Sequence, residues 1–109
     1  MDLARRGARV LMADLREPEP GPDLPPSEEV LFQGADISSR EDCRALIGRA
    51  EREWGRLDIL VNNAGFQHVA PVEEFPEDTW EQMIRVMLVG PFLLTRSALP
   101  LMYARKWGR

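Results

Sequence analysis

Short apolar runs alternate along the chain with longer stretches of helical periodicity. The run ARVLMAD at 8–14 follows Gly7 and is flanked by charge, which predicts a buried strand. Ahead of it, DLARR reads as the last turn or two of a helix stopped at Gly7. EVLFQ at 29–33 predicts a second strand ending at Gly34. LDILVN at 57–62 predicts a third, buried on both faces because Ile59, Leu60 and Val61 are contiguous and apolar. Between the second and third runs, Ser38 and Glu41 have capping-box spacing. Cys43, Leu46, Ile47, Ala50 and Trp54 then fall on one helical face, and Gly55 ends that helix. A longer helical pattern starts near Pro76, with Glu77 and Asp78 at the positive end of its dipole. Trp80, Met83, Ile84, Met87 and Leu88 form its expected inner stripe, and Pro91 and Pro100 predict a kink or a split.

The stretch at about 15–29 breaks both periods. Pro18, Pro20, Pro22, Pro25 and Pro26 exclude a helix and predict an extended, exposed loop. Strands alternating with helices imply parallel pairing in a layered α/β sheet. The pattern opens on the end of a helix and closes on KWGR with no strand after the last helix, so the expectation is a piece cut at both ends.

Composition narrows the function class. With 109 residues the chain is one domain at most. Acidic groups outnumber basic ones 18 to 14, for a formal charge of -4, and no long block of like charge suggests nucleic acid or an anionic membrane. The uncharged apolar run between Arg85 and Arg96 is too short to span a bilayer, and Met1 opens directly on DLARRGAR without a signal-peptide pattern. The lone Cys43 sits on the inner helix face, excludes an internal disulfide and reads as core in a reducing compartment. A cytoplasmic α/β protein is expected.

Ligands of open parallel sheets bind outside the carboxyl ends of the strands. Those ends carry Asp14, then Asp36 with Ile37, then Asn62, Asn63, Ala64 and Gly65. A carboxylate such as Asp14 can accept both hydroxyls of an adenosine ribose and repels a 2′-phosphate, unless it is simply a solvated loop residue. Asp36 can accept from an adenine amino group or belong to the helix start beside Ser38. Asn63, Ala64 and Gly65 let a flat cofactor approach the main chain, although a bare Asn-Asn-Ala-Gly at 62–65 can also be only a turn.

LDILVNNAG, followed by the Trp of DTWEQMIRVM and then by GPFLLTRSALPLM, resembles the middle of the short-chain dehydrogenase/reductase family. GARVLMADL and GADIS fit that family's second and third strands, so the match covers nearly all of the chain outside the Pro-rich loop. The resemblance implies residues 1–109 of an incomplete NAD(P)-binding domain. Its fold would be a partial Rossmann-like doubly wound parallel sheet, three strands with flanking helices, the central first strand missing. NNAGFQHVAPVEEFP is similar, more narrowly, to the D-3-hydroxybutyrate dehydrogenase branch. There, by resemblance, the turn cradles the nicotinamide-side ribose of NAD and Gln67 holds the carboxylate of a small hydroxy acid. An amide donor does so without a fixed charge that would bind any anion. His68 is expected to be a loop or packing residue, since no second His offers a metal site or relay.

The family's acid/base Tyr, with its Lys and Ser, is not matched. Tyr103 has Lys106 three residues on and Trp107 at four, so it does not reproduce Tyr-x-x-x-Lys. The family's relay Asn falls at Met87, a thioether on the apolar stripe and therefore expected in the core. The Gly-rich phosphate loop is also unmatched. Three readings follow: an inactive piece of a dehydrogenase, a non-catalytic remnant that pairs with an intact homologue, or a wrongly delimited reading frame. The oligomeric form is left open.

Overall fold

A computed structural model describes residues 2–19, 21 and 29–109. The chain forms two compact units, Met1–Ala35 and Asp36–Arg109.

In the first unit α1 (Asp2–Arg5) ends in a Schellman turn: Ala8 N–H donates to the Leu3 carbonyl and Gly7 N–H to that of Ala4. Gly7 supplies the positive φ of 87° that this turn needs. β1 (Val10–Asp14) and β2 (Val30–Gly34) pair in parallel, Val10 opposite Val30 and Asp14 opposite Gly34. The ladder runs one residue further, where Ala35 N–H donates to the Asp14 carbonyl. Pro18 lies in the Pro-rich loop as expected, outside any helix. Pro20, Pro22, Pro25 and Pro26 lie outside the described residues.

The second unit is built on two helices. α2 (Arg40–Trp54) starts one residue later than the Ser38–Glu41 spacing predicts: Ser39 is its cap, with the Asp42 N–H 3.3 Å from the Ser39 hydroxyl. Ser38 is drawn away because its hydroxyl and its N–H both bind Asp36. α2 closes at Gly55 (φ 65°), as its sequence implies. Its buried face, Cys43, Leu46, Ile47 and Ala50, packs on α4 (Gly90–Arg105), which buries Gly90, Leu94, Ala98 and Met102.

The long helical pattern is neither split nor broken at its prolines. α3 (Glu77–Ile84) continues through a π-turn at Arg85–Val89 into α4. Gly90 N–H reaches back five residues to the Arg85 carbonyl, and this widened turn lies just before Pro91, which has no N–H to give. The resulting helix of 29 residues is long and apolar enough to cross a bilayer by length and composition alone. Arg85 and Arg96 interrupt it, and its buried stripe faces α2.

Two expectations are corrected. Residues 57–62 form no sheet ladder: among the described residues their backbone hydrogen bonds go to Arg109 and to the neighbouring Asn63, and no strand of the second unit lies beside them. Arg109 N–H donates to the Asp58 carbonyl and Leu60 N–H to the Arg109 carbonyl, which is one parallel bridge. Only one face of this segment is covered. Leu60 and Asn62 line a groove of about 260 Å³ with Ala98 and Met102 of α4, while Ile59 and Val61 are 44% and 64% exposed. The stripe of α3 is also not buried: Trp80, Ile84, Met87 and Leu88 are exposed, since α2 covers α4 and not α3.

Candidate functional site

The turn after the extended segment is open. Asn63 N–H folds back to the Val61 carbonyl, a three-residue turn typical of strand ends, and residues 61–69 are exposed. Asn63, Ala64 and Gly65 therefore present main chain to solvent, with Gln67 two residues beyond. Met87, carried by the π-turn, lies against this turn: a Cβ placed on Gly65 would meet the Met87 Cγ at 3.6 Å. Met87 is thus a 47% exposed cover on the turn and not the core residue its stripe implies. Its thioether offers no strong hydrogen-bond donor there.

Asp36 and Ile37 form a rigid corner at the start of α2. The Asp36 Oδ1 accepts from the Ser38 hydroxyl (2.7 Å) and the Ser38 N–H (2.9 Å), and the Asp36 N–H donates to the Asp42 carboxylate (2.8 Å). The Ser38 hydroxyl, then its N–H, hold the Asp36 carboxyl below the ordinary carboxylate range, against a smaller opposing effect of burial. Both readings of Asp36 are compatible with this geometry. Oδ1 serves the helix start, and no hydrogen bond engages Oδ2 among the described residues. The Ile37 carbonyl is wedged between two helices. It accepts from the Cys43 thiol (3.3 Å), and a Cβ on Gly90 would lie 2.6 Å from it. Cys43 is fully buried as expected, and desolvation, then the charges of Asp42 and Asp36, push its thiol pKa up.

Asp14, in the other unit, ends β1 with an exposed carboxylate whose Oδ1 accepts from the Leu15 N–H (2.6 Å). Tyr103 is exposed on α4. Among the described residues no group of His, Cys, Asp and Glu could hold a metal ion.

Sequence reasoning missed the ring contacts of His68, the π-turn and the tight approach at Gly90. The spacing His68–Phe75–Trp80 is a signal for the first, and Pro91 after a Gly for the second.

The profile of the short chain dehydrogenase family matches residues 1–109. An oxidoreductase of Bacillus subtilis (strain 168), YxjF, is 41% identical over 112 residues, covering 99% of this chain and 44% of the relative. The D-beta-hydroxybutyrate dehydrogenase of Cupriavidus necator is 44% identical over 80 residues, 73% of this chain and 31% of that protein. The chain thus spans less than half the length of these relatives. The crystal structure of a short-chain dehydrogenase from Streptomyces avermitilis superposes with a TM-score of 0.84 at 25% identity, covering 98% of this chain and 40% of the other. A family profile matched from end to end, close relatives and a shared Rossmann-type α/β fold agree: the chain belongs to the short-chain dehydrogenase family, oxidoreductases that work with NAD(P).

Proposed function

We propose that the chain is part of an NAD-dependent dehydrogenase of the 3-hydroxybutyrate kind, acting on a short hydroxy acid or its ketone. The observation that carries this reading is the 44% identity to a D-beta-hydroxybutyrate dehydrogenase. Gln67, two residues past the exposed turn, gives the reading a chemical basis. NAD, when bound, supplies the hydride acceptor. Asp14 would accept the adenosine ribose hydroxyls and disfavour a 2′-phosphate, and Asp36 would take the adenine amino group beside Ile37. Asn63, Ala64 and Gly65 would support the nicotinamide-side ribose, and the Gln67 amide would hydrogen-bond the substrate carboxylate. The 109 residues are inactive by themselves in this proposal, since the family's Ser and Tyr-x-x-x-Lys are not among them. Cytoplasmic location, a small-molecule substrate, no nucleic-acid or membrane partner and a homo-oligomeric full-length form belong to the same proposal. A second reading, a remnant that acts by pairing with an intact homologue, draws on the exposed Ile59 and Val61.

The test is Gln67→Ala in an intact D-3-hydroxybutyrate dehydrogenase carrying this chain's residues. Losing a hydrogen bond to a charged group costs about 1.5–3 kcal/mol, a roughly ten- to hundredfold drop in kcat/KM. NAD affinity should barely change, because Gln67 is assigned to the acid. Full activity of the variant on 3-hydroxybutyrate would reject the substrate assignment.

A further inference from the structure

The loop that carries Gln67 is tied down by aromatic rings. The imidazole of His68 meets Phe75 edge-to-face, centroids 5.1 Å apart at 77°, and Phe75 meets Trp80 the same way at 6.0 Å and 88°. Residues 66–70 make no hydrogen bond among the described residues. The next ties along the chain are Glu74 N–H to the Pro71 carbonyl, Phe75 N–H to that of Val72, and Trp80 N–H to that of Pro76. These lock Phe75, which is half-buried, between the short 3₁₀ turn at Val72–Glu74 and the first turns of α3. His68 belongs to this stretch, and its ring touches the anchored one.

We infer that His68, Phe75 and Trp80 form an aromatic clasp, and that through it His68 is a positioning residue for its neighbour Gln67. The inference rests on the reading of Gln67 as the carboxylate donor. Edge-to-face rings prefer a defined distance and tilt, so they fix a direction as well as burying area. The three rings are close in sequence, which keeps the entropic cost of closing the loop small. A donor already held in place loses less freedom on binding than one on a wandering loop.

The test is NMR on the full 109-residue chain. Wild type should show His68 ring protons displaced from random-coil shifts by the Phe75 ring current. Its Gln67 backbone order parameter should lie near ~0.85, falling below ~0.6 in His68→Ala. His68→Phe keeps a ring and should restore the order, which a general loss of structure could not do; Phe75→Leu should mimic His68→Ala. Random-coil His68 shifts in wild type, or equal Gln67 order in wild type and His68→Ala, would overturn the clasp. Failure of the substrate reading looks different: the clasp is present, yet Gln67→Ala leaves turnover of the grafted enzyme unchanged.

Discussion

Asp36 shows how a single carboxylate oxygen can hold a helix start. Two donors from Ser38 converge on its Oδ1 and lower its pKa. A carboxyl whose folded pKa lies below its unfolded value, about 3.9, stabilises the fold fully above that value. The contribution is lost as pH falls through the folded pKa, so the window lies in acid and nothing changes near neutrality. Ser38→Ala removes the larger of the two causes. The Asp36 carboxyl carbon, followed by NMR titration, should then titrate closer to the ordinary carboxylate midpoint. The accompanying loss of stability above the window should be about 0.5–1 kcal/mol, small because the site is partly solvated and screened. An unmoved midpoint would mean that the hydroxyl is not what holds the charge.

At the scale of elements, the contact between α4 and the Ile37 corner decides how Asp36 and Ile37 are held. A Cβ on Gly90 would sit 2.6 Å from the Ile37 carbonyl oxygen, a backbone atom that cannot swing aside. Gly90→Ala should therefore cost about 1–3 kcal/mol as overpacking, despite the better helix propensity of Ala. Gly48, inside α2, is the matched control: its Cβ would meet only the far end of the Arg52 side chain, at 3.3 Å. Gly48→Ala should stabilise by about 0.5–1 kcal/mol. Urea unfolding of the two variants should move in opposite directions, and a neutral Gly90→Ala would deny the close approach. These elements were legible to different degrees. β1, β2, α2 and the glycine stops could be read because caps, periodicity and positive-φ turns act locally. The fate of 57–62 could not, because an apolar run reports burial only when partners are present, and among the described residues no strand pairs with it. Met87 and Trp80 were misplaced for the same reason: a helical stripe says which residues share a face, not whether another element covers it. Asn63, Gly65 and Gln67 were recognisable as a motif, whereas the rings that tie down Gln67 depend on a turn that propensity does not fix.

For the whole molecule, the balance of buried and exposed apolar surface sets its behaviour in solution. The fully buried core of the second unit is confined to the α2–α4 contact and to modest side chains: Cys43, Leu46, Ile47, Ala50, Leu94, Ala98 and Met102. Larger groups, Trp80, Phe92, Leu88, Ile59 and Val61, stay exposed. Each exposed side chain of this size forgoes most of the ~1.5–3 kcal/mol that full burial would contribute. The parallel pair β1–β2 is a two-stranded sheet, below the size that is stable unsupported. The purified 109-residue chain should accordingly show strong helical circular dichroism with a broad, weakly cooperative thermal transition. It should also show no NAD-dependent oxidation of 3-hydroxybutyrate, because neither an acid/base pair nor a phosphate loop of the family kind is present to supply the rate enhancement. Met87→Asn should not rescue turnover, since a relay residue without an acid/base group to feed moves no proton. A sharp transition with slow amide exchange across 57–62 would contradict the folding argument. Turnover above that of a heat-killed sample would contradict the catalytic one. The two can fail separately, because the first depends on covered apolar area and the second on chemistry that packing alone cannot provide.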